Sequence, residues 1–289
     1  MVLEHIFPED WLERKGFMSI LFVFLLGFIY STIGLAIAGA LFPTDPMLVA
    51  VAFTALLILP ELYKIFSIEE RKESLEQKIT LLEIWKDDMG MVKIYLTLFV
   101  SIVVAYALVP LLLPKIIPHM SNMLFNTQIQ AISTGGFLLL LKKNLFFLLA
   151  IFLIALLTGD GAVFLITWKA SVFGTLLLFG SHFWLGLFTG DTATIVNSLI
   201  FIGSVLLISL ITVASYACAA IAGSIISKDV LLEQFASHRF FEVFGFNLYL
   251  LLVGLVILLI GVGVESWFSA NVSVFAEGLK EALSIGGGF

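Results

Sequence analysis

Charge is scarce in this chain. Only 12% of its 289 residues are Asp, Glu, Lys or Arg, about half the share found in a soluble domain. No basic cluster is present that could track a nucleic-acid backbone, which excludes a nucleic-acid partner. Cysteine is nearly missing. Cys218 stands alone inside an apolar run, so an intrachain disulfide and a cysteine metal site are both excluded, and it reads as a small core residue. The catalytic strings His-Glu-x-x-His, Gly-x-Ser-x-Gly and Gly-x-x-x-x-Gly-Lys are absent. His5 and His182 have no ligand-spaced companions. Haem, zinc and nucleotide binding are without support, no cofactor is expected, and the chain does not read as an enzyme.

What fills the space is apolar. Hydrophobic residues make up 61% of the chain and the mean hydropathy is +1.12. That excess does not fit one water-soluble core, so the solvent is a lipid bilayer. The expected fold class is an all-α, polytopic integral membrane protein. It has about seven transmembrane helices, an amphipathic cytoplasmic helix and a re-entrant segment. Arg14 and Lys15 precede an apolar run ending near Ala38-Gly39-Ala40, which looks like a cleavable signal. The run from Phe17 to Ile37 is longer than the ~7–15 residues of a signal h-region, so it reads as a retained helix.

The spans follow in order. Residues 17–41 form the first, a Pro43–Pro46 turn follows, and 47–66 form the second. Residues 61–93 hold Lys64, Arg71, Lys72, Lys78, Lys86 and Lys93 among many acids, with Ile68, Leu75, Ile79 and Leu82 at helical spacing. This predicts one amphipathic helix, lying on the membrane or on a partner, or a solvated connection. As the densest basic region it belongs in the cytoplasm, together with the N-terminus. Residues 94–113 are the third span and 114–136 an outer interfacial segment. Lys142 and Lys143 interrupt the next run, and two lysines at mid-span cost about 2.5–3.5 kcal/mol each. The expectation is that Phe137–Leu141 lies along the outer surface and the fourth span starts at Leu145. Spans at 162–180, 194–226 and 243–264 complete the set, separated by an outer loop at 181–193. The tail from 266 lies outside. Two regions result, 1–113 and 114–289. Gly34, Gly39, Gly254, Gly261 and Gly263, with Ala219, Ala220, Ala222 and Gly223, read as close-packing faces between helices.

Few polar residues lie at membrane depth, and ionisable ones there are candidates for function. His238 and Glu242 are four apart and share a helical face. They order the mouth of a re-entrant segment, or they form a helix cap and a surface ion pair. Lys169 lies seven residues into an apolar helix, about 10 Å deep at 1.5 Å per residue. A carboxylate partner is expected there, with Glu242 first and Asp160 the other candidate. Asp160 and Asp191 sit in a local echo, Leu-Thr-Gly-Asp and Phe-Thr-Gly-Asp. Opposite sides of the membrane keep them from forming a proteolytic dyad, and both read as cap or loop residues. With Asn144, the candidate polar cluster is Lys169, His238, Glu242, Asp160 and Asn144.

Several strings in the last 150 or so residues resemble the stage II sporulation protein M family of bacterial and archaeal membrane proteins. Phe137 with Lys143-Asn144 resembles that family's aromatic and basic-Asn element before a span. Lys169-Ala170-Ser171-Val172-Phe173-Gly174 stands where an Asn-Gly-x-x-x-Gly stretch is expected. Ser237-His238-Arg239-Phe240-Phe241-Glu242 matches the His-to-Glu spacing of a His-Gly-x-x-Glu motif. Arg239 replaces its glycine, and Lys169-Ala170 replaces the Asn-Gly pair. The first 110 residues, with their helical hairpin, are similar to the N-terminal part of archaeal proteins of that name. The resemblance implies a non-enzymatic scaffold or assembly component of a membrane complex, with itself or other membrane proteins as partners. The alternative is a transporter or lipid permease whose polar path runs by Lys169, His238 and Glu242. A third class, an intramembrane hydrolase on His238 and Glu242, requires a nucleophile or metal beside His238.

Overall fold

Inside a bilayer the backbone finds no water, so a single apolar run must satisfy its N–H and C=O groups within itself, as an α-helix does. A computed structural model describes residues 17–42, 46–74, 81–113, 116–117, 119–120, 136–159, 161–179, 192–232 and 238–271. Among them are seven long helices and no strand. These are α1 (Phe17–Leu41), α2 (Pro46–Ser74), α3 (Leu81–Leu112), α4 (Phe137–Thr158), α5 (Ala162–Phe179), α6 (Thr192–Leu232) and α7 (His238–Asn271). All seven are long and apolar enough to cross a membrane. The chain is an all-α polytopic membrane protein with lipid around it.

The helices form two groups. In the first, α1 packs on α2 and α3, and α5 packs on α3 and α2. In the second, α6 packs on α7 and α4, and α7 also meets α4. Contacts of α6 with α3 and α5, and of α4 with α5, join them. Helix α5 is the most enclosed of the seven spans. Its small and hydroxylated residues Thr167, Ala170, Ser171, Gly174 and Thr175 are all buried, which lets neighbouring backbones come close. The small-residue face read in α6 is also inside: Ala219, Ala220 and Ala222 are fully enclosed, and Cys218 is buried beside them.

Four boundaries differ from the sequence expectation. Residues 61–74 and 81–93 are not a separate surface helix; they prolong α2 and begin α3. Once nucleated, a helix gains a hydrogen bond with each added residue, and leaving the membrane does not end it. The side chains of 65–88 lie outside the described residues, but Glu61 is buried against the bundle. Helix α4 starts at Phe137 rather than Leu145, with Lys142 and Lys143 exposed on it. Helical side chains lean toward the helix N-terminus, and long lysine stems can carry their charge to the rim without breaking the helix. Of the stretch read as re-entrant, the described residues belong to the last turn of α6 and the first turns of α7, and residues 233–237 lie outside the described residues. Finally, α7 continues beyond 264 to Asn271, which draws Glu265 into the bundle.

Two glycines set helix spacing directly. A Cβ on Gly174 would stand 2.6 Å from the Val103 carbonyl oxygen, and one on Gly223 would stand 2.6 Å from that of Phe152. The obstacle in each case is backbone, which does not yield cheaply. Gly174→Leu and Gly223→Leu are therefore expected to lower stability by ~1–3 kcal/mol or more through overpacking. Gly203→Leu, where an added Cβ would meet nothing within 4 Å beyond its own stretch of helix, is expected to be neutral. Unfolding midpoints of the three variants in one detergent check this ordering.

Candidate functional site

Helix α4 presents two faces to the bundle's interior and to lipid. Leu140, Asn144, Leu148, Ile151 and Ala155 recur at helical spacing and are buried. Asn144 is the only amide in that stripe, and it faces α6 and α7. There the Tyr216 hydroxyl of α6 donates to Asn144 Oδ1 at 2.8 Å. The Asn144 side chain also hydrogen-bonds the Glu265 carboxylate of α7, which uses its amide N–H as donor. One turn on, Phe147 packs its ring on Tyr216, with centroids 5.3 Å apart.

Lys169 enters this group from α5. It is 2% exposed, and its Nζ lies 4.8 Å from the Phe147 ring centroid and 5.8 Å from that of Tyr216. Both distances fall within the range of cation–π attraction, which is worth ~2 kcal/mol or more once water is excluded. The carboxylate that attracts it is Glu265, itself 8% exposed. Exposed Lys143 of α4 acts on Lys169 with the opposite sign. Four helices thus converge on one charge pair with an amide and a phenol beside it.

The sequence-level cluster is partly assembled here. Lys169 and Asn144 come together. The expected pairing of Lys169 with Glu242 gives way to Glu265. Because α7 runs unbroken from His238 to Asn271, Glu242 lies about 35 Å from Glu265 along the axis at ~1.5 Å per residue. His238 begins the same far end. The side chains of His238 and Glu242, and all of Asp160, lie outside the described residues, as do His182 and Asp191. Glu265 and Tyr216 were not singled out from the sequence. Glu265 carried a usable signal, being the only acidic residue between Glu242 and Glu277. Tyr216 carried little, since an aromatic in an apolar run is ordinarily packing.

A second buried carboxylate, Glu61 of α2, lies near enough to Tyr30 of α1 to act on it electrostatically. Tyr106 of α3 and Thr54 of α2 are also buried in the same helix group. The described residues bring no three His, Cys, Asp or Glu side chains together. No family model, curated protein or solved structure matches the chain.

The chemistry available at the α4–α7 centre is charge pairing and hydrogen bonding. Asn144→Leu strands a Tyr216 hydroxyl and a Glu265 oxygen at once. It is expected to cost ~1–3 kcal/mol for the buried groups left without partners. Tyr216→Phe removes one hydrogen bond and is expected to cost less, ~0.5–1.5 kcal/mol. The yield of monodisperse protein and its unfolding midpoint in detergent give the comparison.

Proposed function

We propose that the chain is a non-enzymatic membrane protein that acts as a scaffold or assembly component of a membrane complex. One observation carries this reading. The most costly group at membrane depth, the Lys169 ammonium, is enclosed by Phe147 and Tyr216 and answered by Glu265. Its charge is spent on holding helices together, as befits a framework. The resemblance to the stage II sporulation protein M family supports the same task, and it suggests further copies of the chain or other membrane proteins as partners.

The permease reading draws on the same pair, because ionisable groups within spans also line transport paths. The two readings separate in sealed proteoliposomes carrying a trapped pH dye. A scaffold is expected to leave proton and monovalent-ion leakage at the level of empty vesicles. Flux above that level that disappears in Lys169→Ala would overturn the scaffold reading in favour of transport. Gentle extraction followed by in-membrane cross-linking supplies the complementary result. The scaffold reading expects an assembly larger than one chain, and a lone monomer across conditions would contradict it.

A further inference from the structure

Lys142 does not sit on a polar face. Leu138, Lys142, Phe146, Leu149, Leu153 and Leu157 recur at helical spacing along α4, and their neighbours on the opposite stripe are the buried ones. The apolar members are all exposed, Leu138 to 78% and Phe146 to 74%. In a membrane protein an exposed apolar stripe of this kind is the one that meets lipid. Lys142 and Lys143 are both exposed and have no ion pair among the described residues.

Nothing nearby in sequence answers these charges. No acidic residue occurs between Asp88 and Asp160, so neither the connection from α3 nor α4 supplies a counter-ion. Lys143 moreover adds to the positive potential at Lys169. The start of α4 reinforces the same sign. Its N-cap is Gly136, which offers no side-chain acceptor to the first N–H groups, and a helix N-terminus carries a partial positive charge. Lys142 and Lys143 lie one to two turns from that terminus, on side chains that in a helix lean toward its N-terminal end. Two exposed cations and a helix N-terminus are thus combined with the exposed apolar strip on one end of α4.

We propose that the Phe137 end of α4 binds the phosphate of an anionic glycerophospholipid. Lys142 and Lys143 hold the phosphate, and an acyl chain lies along Phe146, Leu149 and Leu153. The site matches both halves of such a molecule, the anion through two cations and a helix terminus, and the tail through a continuous apolar strip. A soluble phosphate would use only the first half.

Native mass spectrometry of the purified full chain tests this by titration with phosphatidylglycerol, phosphatidylcholine or glycerol 3-phosphate. Phosphatidylglycerol is expected to be retained preferentially and to raise the unfolding midpoint. The double variant Lys142→Ala/Lys143→Ala is expected to lose about 30-fold in affinity, the usual gain per basic side chain at an anionic surface taken twice. Lys142→Arg/Lys143→Arg is expected to keep most of it. Both lysines are exposed, so the alanine pair should fold, and a Gln pair repeats the test if it does not. Equal retention of phosphatidylcholine, or undiminished binding by the double variant, would overturn the proposal. So would protection by glycerol 3-phosphate equal to that by the lipid, which would mean an anion site alone. The acidic tail is the competing occupant. If Glu277→Gln/Glu281→Gln raises lipid binding several-fold, the tail holds the lysines and the proposal fails; unchanged binding supports it.

Discussion

An ammonium group cannot stay buried at membrane depth without an answering charge. Lys169 imposes that requirement from the most enclosed helix of the bundle. Its answer, Glu265, comes from α7, the last helix. Asn144 on α4 steadies the carboxylate, and Tyr216 on α6 steadies Asn144. Each member is placed by the one before it. Dispersion and small-residue packing hold membrane helices together without much preference for one register, whereas a buried charge pair accepts only arrangements in which both partners meet.

The position of this pair in the bundle gives it wider reach. Helix α5 belongs by its packing to the α1–α2–α3 group, while α4, α6 and α7 form the other. Lys169 therefore carries a charge from one group into the centre of the second. The glycines act at shorter range in the same sense. Gly174 seats α5 on α3, and Gly223 seats α6 on α4. Close backbone approach sets the spacing, and the attraction between Lys169 and Glu265 favours one register.

Most of the architecture was legible in the sequence because membrane solvent leaves few choices. Apolar runs of spanning length had to be helices, and all seven are found. The small residues of α6 had to face other helices, and they do. The boundaries were harder to read. Lys142 and Lys143 suggested that α4 begins at Leu145, because a cost per lysine takes no account of stems long enough to reach the rim. Residues 61–93 suggested a surface helix, because amphipathic spacing does not tell a separate helix from the continuation of two spans. Lys169 was recognised as needing a carboxylate, and Asn144 was placed in the cluster. The choice of Glu242 over Glu265 came from ending the seventh span at 264, one residue short of the carboxylate that answers the lysine. Which helices neighbour one another is a tertiary fact, and periodicity along one helix carries no information about it.

Coupling between Lys169 and Glu265 is the quantity on which this account rests. It is measured by a double-mutant cycle using Lys169→Met and Glu265→Leu, with unfolding followed in one detergent or bilayer system. Each single change leaves one buried charge alone and is expected to cost ~3–5 kcal/mol. The double variant removes both charges together and is expected to be far more stable than the two losses added, with a coupling of at least ~1–3 kcal/mol. Additive losses, with the double variant as unstable as the sum of the singles, would show that the two residues do not depend on each other and would contradict the account.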